Sequence, residues 1–173
     1  MAKILDIMDA EMSKLEDGDG ADFDLLVSIM DYCLQYPDRY HHPLEDMVLR
    51  QLRQRDPESA DKVGDLEKSH RDLTALTKRL NTALENIAGG AEISRQSIGA
   101  LTQEFLSTYR FHIEMEETGF FPAASAKLTA RDWQLIEKEM APGDDPLFAA
   151  REAADLAELR REILRWNEPA SPA

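Results

Sequence analysis

The chain has 173 residues, 43% apolar and 31% charged, with a formal net charge of −14, which describes one helix-rich domain with room for a sizeable core. The acidic excess argues against nucleic acid and anionic membranes as partners, since both need basic patches. No apolar run reaches the length of a membrane span, MAKILDIMDAEMSK lacks a signal-peptide core and Cys33 is the single cysteine, so a reducing, cytoplasmic setting is the expectation.

Leu5, Met8, Met12 and Leu15 share one face of a short first helix that stops at Asp17-Gly-Asp-Gly, a terminator followed by a loop. A second stretch, from about Phe23 to Arg53, carries Leu26, Met30, Cys33, His41, Leu44, Glu45, Val48 and Leu52 on its stripe. Pro37 and Pro43 interrupt it, which predicts a kink or break near Tyr36–Asp38. The third, about Glu58 to Ala88, steps by three and four through Val63, Leu66, His70, Leu73, Thr77, Leu80, Leu84 and Ile87. That is a bundle seam, ended by Gly89-Gly90. The fourth, about Ser94 to Phe121, places Ile98, Leu101, Phe105, Tyr109, His112, Met115, Glu116 and Phe120 on one face and is expected to stop before Pro122.

Thr129-x-x-Asp132 resembles a capping box opening a short helix to about Met140. After a Pro142-Gly-Asp-Asp loop, a last helix runs from about Phe148 to Trp166, and Asn167–Ala173 reads as a frayed tail. Strand alternation and solenoid repeats are absent from the sequence. The pattern predicts an all-α four-helix bundle over residues 1–140 with a C-terminal helical extension over 141–173 packed on it.

The chemistry lies in a repeated spacing, His41-x-x-x-Glu45 and His112-x-x-x-Glu116. Residues four apart share a helix face, so each pair aims an imidazole and a carboxylate at one point. His70 falls on the seam of a third helix. A buried carboxylate is costly unless a cation or strong donors meet it, and three histidines with two glutamates on core seams cannot satisfy one another without a charge between them. The set therefore predicts a metal site, with the nitrogen and oxygen mixture suiting iron or manganese and admitting zinc. Glu45 and Glu116 are the natural bridges, with His41, His70 and His112 as terminal ligands; a dinuclear site is favoured and a single metal stays open.

His42 is a separate case, because one step along a helix turns a side chain by about 100°. It is either a boundary residue or, where Pro43 distorts the backbone, a compensating or outer group. Tyr40 and Tyr109 are expected to pack, with the alternative that they donate hydrogen bonds at the site. Cys33 is expected to be a buried, inert thiol, and Trp133 and Trp166 to anchor the C-terminal extension. The sequence shows neither a Gly-rich phosphate loop nor a Ser/His/Asp arrangement.

The segments Tyr40-His-His-Pro-Leu-Glu-Asp46, Leu66-Glu-Lys-Ser-His70 and His112-Ile-Glu-Met-Glu-Glu-Thr-Gly-Phe-Phe-Pro122 resemble the motifs of the hemerythrin-like, HHE cation-binding family, over about residues 1–140. The resemblance implies an up-down-up-down bundle with a non-haem di-iron centre, His41, Glu45, His70, His112 and Glu116 standing at ligand positions. It further implies a small diatomic or peroxide ligand, with oxygen binding, sensing, iron handling or repair as roles.

The departure is in the first helix, where the family has a histidine and this chain has none before His41. Asp9, then Glu11 and Met12, stand nearest that place. Either a carboxylate substitutes there or both are solvated. The first helix is also short, and a late start that omits the histidine's turn is a further expectation. Two other readings stay open. One is a helical module with a degenerate metal site, serving dimerisation through its C-terminal helix. The other is oxidase or peroxidase chemistry at a di-iron centre, since carboxylate-rich sites favour oxygen activation.

Overall fold

The structure, a computed structural model, describes residues 1–139 and 146–166. The expected Pro142–Asp145 loop, the tail Asn167–Ala173 and the side chain of Trp166 lie outside the described residues. Among the described residues every regular element is helical. Helix α1 (Ala2–Asp17) ends at Gly18, whose left-handed φ of 88° suits a residue without a Cβ. Asp22 caps α2 (Phe23–Tyr36) by accepting from the Leu25 amide at 3.0 Å.

Helix α2 does not break at its prolines. One π-turn, Pro37–His41, joins it to α3 (His42–Arg55). A second, Glu116–Phe120, joins α6 (Arg95–Met115) to α7 (Phe121–Lys127). Of the kink or break expected near Tyr36–Asp38 the structure shows a π-turn in place of a break, and the stop expected before Pro122 is corrected. The physical reason is shared: Pro43 and Pro122 each stand two residues beyond a π-turn. A proline in a plain α-helix removes one amide and presses its ring on the carbonyl four residues back. The wider turn closes instead through His42 N–H to the Pro37 carbonyl, and Phe121 N–H to the Glu116 carbonyl. The helix then continues.

The third predicted stretch is corrected in the opposite sense. It splits into α4 (Pro57–Val63) and α5 (Leu66–Ala88) at Gly64, which has φ 84°. Asp65 then caps α5 by accepting from the Lys68 amide at 2.9 Å.

Helix α1 lies against α2 and α6, and α5 lies against the same two, closing a four-membered ring; short loops join α1 to α2 and α5 to α6, while the first π-turn, α3 and α4 lie between α2 and α5. This is an all-α four-helix bundle. Helix α8 (Ala130–Glu139) packs on α3, and α9 (Pro146–Trp166) packs on α2 and α1, burying Leu156 and Ile163. Trp133, expected as an anchor, is 41% exposed, because Asp132 and Ile136 take the inner face of α8. Asp132 does the anchoring. Its carboxylate accepts from Thr129 N at 2.8 Å, completing the predicted capping box, and from Arg55 Nη2 at 2.7 Å and Gln51 Nε2 at 2.8 Å. The Arg55 guanidinium holds the Asp132 carboxyl well below the usual carboxylate range.

The apolar interior is divided. One core gathers Leu26, Met30, Leu80 and Phe105 with the buried side of α1, while a second gathers Leu49, Leu52, Val63 and Phe120. On three helices the chain passes from one core to the other at a polar point: His42–Glu45 after Cys33, His70 between Leu66 and Leu73, and His112–Glu116 between Tyr109 and Phe120. Apolar packing on both sides holds those side chains in place. Among the described residues no helix is long and apolar enough to cross a membrane.

Candidate metal centre

Consecutive histidines diverge in a plain α-helix, so the π-turn ending at His41 decides what reaches the waist of the bundle. Its register is visible in the rings: Tyr32 stacks on Tyr36 four residues later at 5.6 Å, and Tyr36 on His41 five residues later at 6.1 Å. Past that extra residue His42 turns in towards His70 and His112, while His41 faces Glu45 and Glu116 from outside. His42 is the deeper of the two, 4% exposed, stacking on His70 at 4.2 Å and meeting His112 edge-on at 5.3 Å. His41 stands at the rim, its side chain 35% exposed. The expected order of the pair, with His41 in the core and His42 at the boundary, is reversed in burial.

Glu45 and Glu116 span the histidines. Glu45 Oε1 lies 3.3 Å from His41 Nε2, and its Oε2 lies 3.3 Å from His70 Nε2. Glu116 Oε1 lies 2.5 Å from His112 Nε2 and 3.9 Å from His41 Nε2. Two overlapping donor sets result, His42 with His70 and His112, and Glu45 and Glu116 with the same two histidines. Within each set the ligand atoms lie within 4.8 Å of one another, and every member is buried.

Two outer residues orient the rings. Asp46 Oδ1 lies 2.8 Å from His70 Nδ1. A carboxylate can only accept, so Nδ1 carries the proton and the lone pair on Nε2 faces inward. Ser69 Oγ stands 3.1 Å from His112 Nδ1 and, as donor or acceptor, holds the outer nitrogen of that ring so that Nε2 faces inward. Sequence reasoning gave neither residue a role. Their only signal was adjacency, Asp46 to Glu45 and Ser69 to His70, and a helix does not normally point neighbours at one site.

Burial, reinforced by the charge of Glu116, pushes the Glu45 carboxyl up to about 9. Burial presses Glu116 upward too, but the close approach of His112, with His41 nearby, outweighs it and brings it down. Burial holds His41 below the usual imidazole range, against the attraction of Glu116.

Both oxygens of Glu45, Nε2 of His70, Nε2 of His112 and Oε1 of Glu116 are buried and make no hydrogen bond among the described residues. With Nε2 of His112 unprotonated, its approach to Glu116 sets two lone pairs against each other. Leaving such groups buried is costly unless a cation lies between them. These donors therefore fit a transition-metal ion, and on this chain they come from α3, α5, α6 and the second π-turn.

The remaining candidates do not join them. Asp9 accepts from Arg110 Nη2 at 3.0 Å and Gln103 Nε2 at 3.2 Å, fastening α1 to α6. Glu11 accepts from Lys14 Nζ at 2.5 Å and from the Asp22 amide at 3.1 Å, fastening the loop before α2. Both flank the buried Met8 and Met12 stripe instead of lying on it. It is Met1, just ahead of α1, that comes near, lining a chamber of about 190 Å³ together with Tyr36, His41, Tyr109, His112 and Glu116. Tyr109 is buried, as expected, with its ring edge-on to His112 at 6.1 Å, and Cys33 is a buried thiol in the first core.

Residues 1–124 match the family model described as the hemerythrin HHE cation binding domain. No curated protein and no solved structure matches the chain. The matched span takes in every helix that supplies the cluster and well over half of the sequence, and the chain belongs to the hemerythrin HHE cation-binding family.

Proposed function

We propose that this chain is a non-haem iron protein of hemerythrin type, holding a pair of iron ions and binding or sensing dioxygen, nitric oxide or peroxide. Iron would be held by Glu45, His70, His112 and Glu116, with His41 at the rim and His42 supplying the nitrogen that α1 does not. Bound iron supplies a redox-active centre at which such small molecules coordinate. The observation that carries the reading is the set of five buried lone-pair atoms aimed at one point without hydrogen bonds.

The rest is the work of the chain's own side chains. Two overlapping donor sets, each drawing on His70 and His112, support two ions more readily than one. Asp46 and Ser69 hold the rings so that Nε2 faces in. The chamber beside His41, His112 and Glu116, with Met1 in its wall, has space for a diatomic molecule or a peroxide. A degenerate site is disfavoured, because drift would replace buried carboxylates with apolar or hydrogen-bonded groups.

Elemental analysis of protein produced with ample iron tests the reading, together with visible spectra of the reduced protein before and after dioxygen or nitric oxide. Two irons per chain, a spectrum that changes with the gas, and loss of both in His112→Ala are expected. Protein without stoichiometric metal overturns the reading, and stoichiometric manganese or zinc overturns iron as its metal.

A further inference from the structure

A larger cavity, about 570 Å³, opens beside the metal chamber and is lined by Met1, Tyr32, Tyr36, Tyr40, Leu156, Ala157 and Arg160. None of the metal-binding candidates lines it. Its size falls in the range of small-molecule sites, roughly 300–1,000 Å³, and is several times what a diatomic gas needs. Beside Met1, its wall is built in two halves: three tyrosine rings from α2 and the first π-turn, and one face of α9 in which Leu156, Ala157 and Arg160 are spaced as helix neighbours.

Chemistry narrows the occupant. Three tyrosine rings in the lining make an aromatic wall suited to a planar, apolar group. Arg160 is the only charged side chain among the described residues of the lining. It already donates to the Tyr32 hydroxyl, which holds its fork at the tyrosines. In a chain of net charge −14, one guanidinium against an aromatic wall selects an anion that is otherwise repelled. A guanidinium meets a carboxylate through two parallel hydrogen bonds. Tyr36 belongs to both the cavity and the metal chamber, and its ring stacks on His41 at 6.1 Å.

We propose that this cavity is a binding site for a small aromatic carboxylate, its anionic end on Arg160 and its ring among Tyr32, Tyr36 and Tyr40, next to the metal chamber. The inference goes beyond the gas-binding reading and stands separately from it, because no metal ligand takes part.

The test is calorimetric titration of benzoate, with benzyl alcohol and acetate as the chargeless and ringless probes, into the full chain after chelation and again after metal loading. Benzoate is expected to bind at least about tenfold more tightly than either probe, with equal affinity in the two preparations. Arg160→Leu, a change at an exposed position, is expected to weaken benzoate about tenfold or more while leaving benzyl alcohol unchanged. Ala157→Trp, which fills the space, is expected to abolish both, with unchanged helical circular dichroism confirming its fold. Binding that appears only with metal and ignores Arg160→Leu places the carboxylate on the metal and overturns the proposal. Failure of benzoate to outbind acetate and benzyl alcohol overturns it as well. Metal content is measured separately, so either failure leaves the iron reading standing.

Discussion

Glu45→Gln separates the two things Glu45 does, because the amide keeps its shape and removes its charge. In the metal-free protein, burial and Glu116 raise the Glu45 carboxyl from 4.5 to about 9. Below pH 4.5 the group is protonated in both folded and unfolded chains. From there to about 9 the native state binds the extra proton, so stability falls as pH rises, and the contribution present in acid is lost by about pH 9. At pH 7 the chain has climbed about 2.5 pH units past the unfolded value of 4.5, at about 1.4 kcal/mol each, a cost of about 3 kcal/mol. Glutamine escapes that cost.

Metal-free Glu45→Gln is therefore expected to melt about 6–12 °C above metal-free wild type at pH 7, by the usual scaling for a chain of this size. The gap should narrow at pH 5 and widen at pH 8.5. With metal the order inverts, since a ligand bound only by the native state stabilises it and the amide is a poor ligand. Thermal melts by circular dichroism, with and without chelator at the three pH values, read both effects. A metal-free variant less stable than wild type at every pH refutes the reasoning. Glu45 would then be held as a carboxylate by protonated His41 and His70, with no cation needed.

Further predictions follow from the same geometry. Asp46→Asn, which loosens the proton on His70 Nδ1, is expected to weaken metal affinity about 10- to 100-fold with little change in the metal-free melting temperature; competition with a chelator measures it. His42→Ala is expected to lower metal content, whereas Asp9→Ala leaves it unchanged; elemental analysis of the two variants side by side reverses the assignment of either residue if the losses are exchanged. Leu80→Ala, at a side chain with no exposure in the first core, is expected to cost about 2–5 kcal/mol in urea unfolding, and a cost below about 1 kcal/mol would mean that the core there is loosely packed.

The bundle is legible in the chain because its apolar seams have the helical period and its ends carry glycine and Asx caps, as at Gly18 and Asp22. What the sequence hid is backbone register. A proline ordinarily signals a stop, and nothing in the residues near Pro43 or Pro122 announces that a π-turn absorbs it. His42 was obscured by the same gap, since its place in the cluster exists only once the turn gains a residue. Gly64 shows the converse: the apolar stripe from Val63 to Leu66 keeps its period across a true break, because both sides of the break pack on the second core. His70, His112, Glu45 and Glu116 were readable because each lies on a seam. Asp46 and Ser69 were not, because their roles depend on contacts between helices.

The central claim is that the buried cluster at the waist of the bundle is a metal centre. Anomalous diffraction at the iron edge, from crystals of iron-loaded protein, addresses it most directly. Two peaks within coordination distance of Glu45, His70, His112 and Glu116 are predicted, one of them also reaching His42. Iron-loaded crystals with no peak between those side chains would contradict the account.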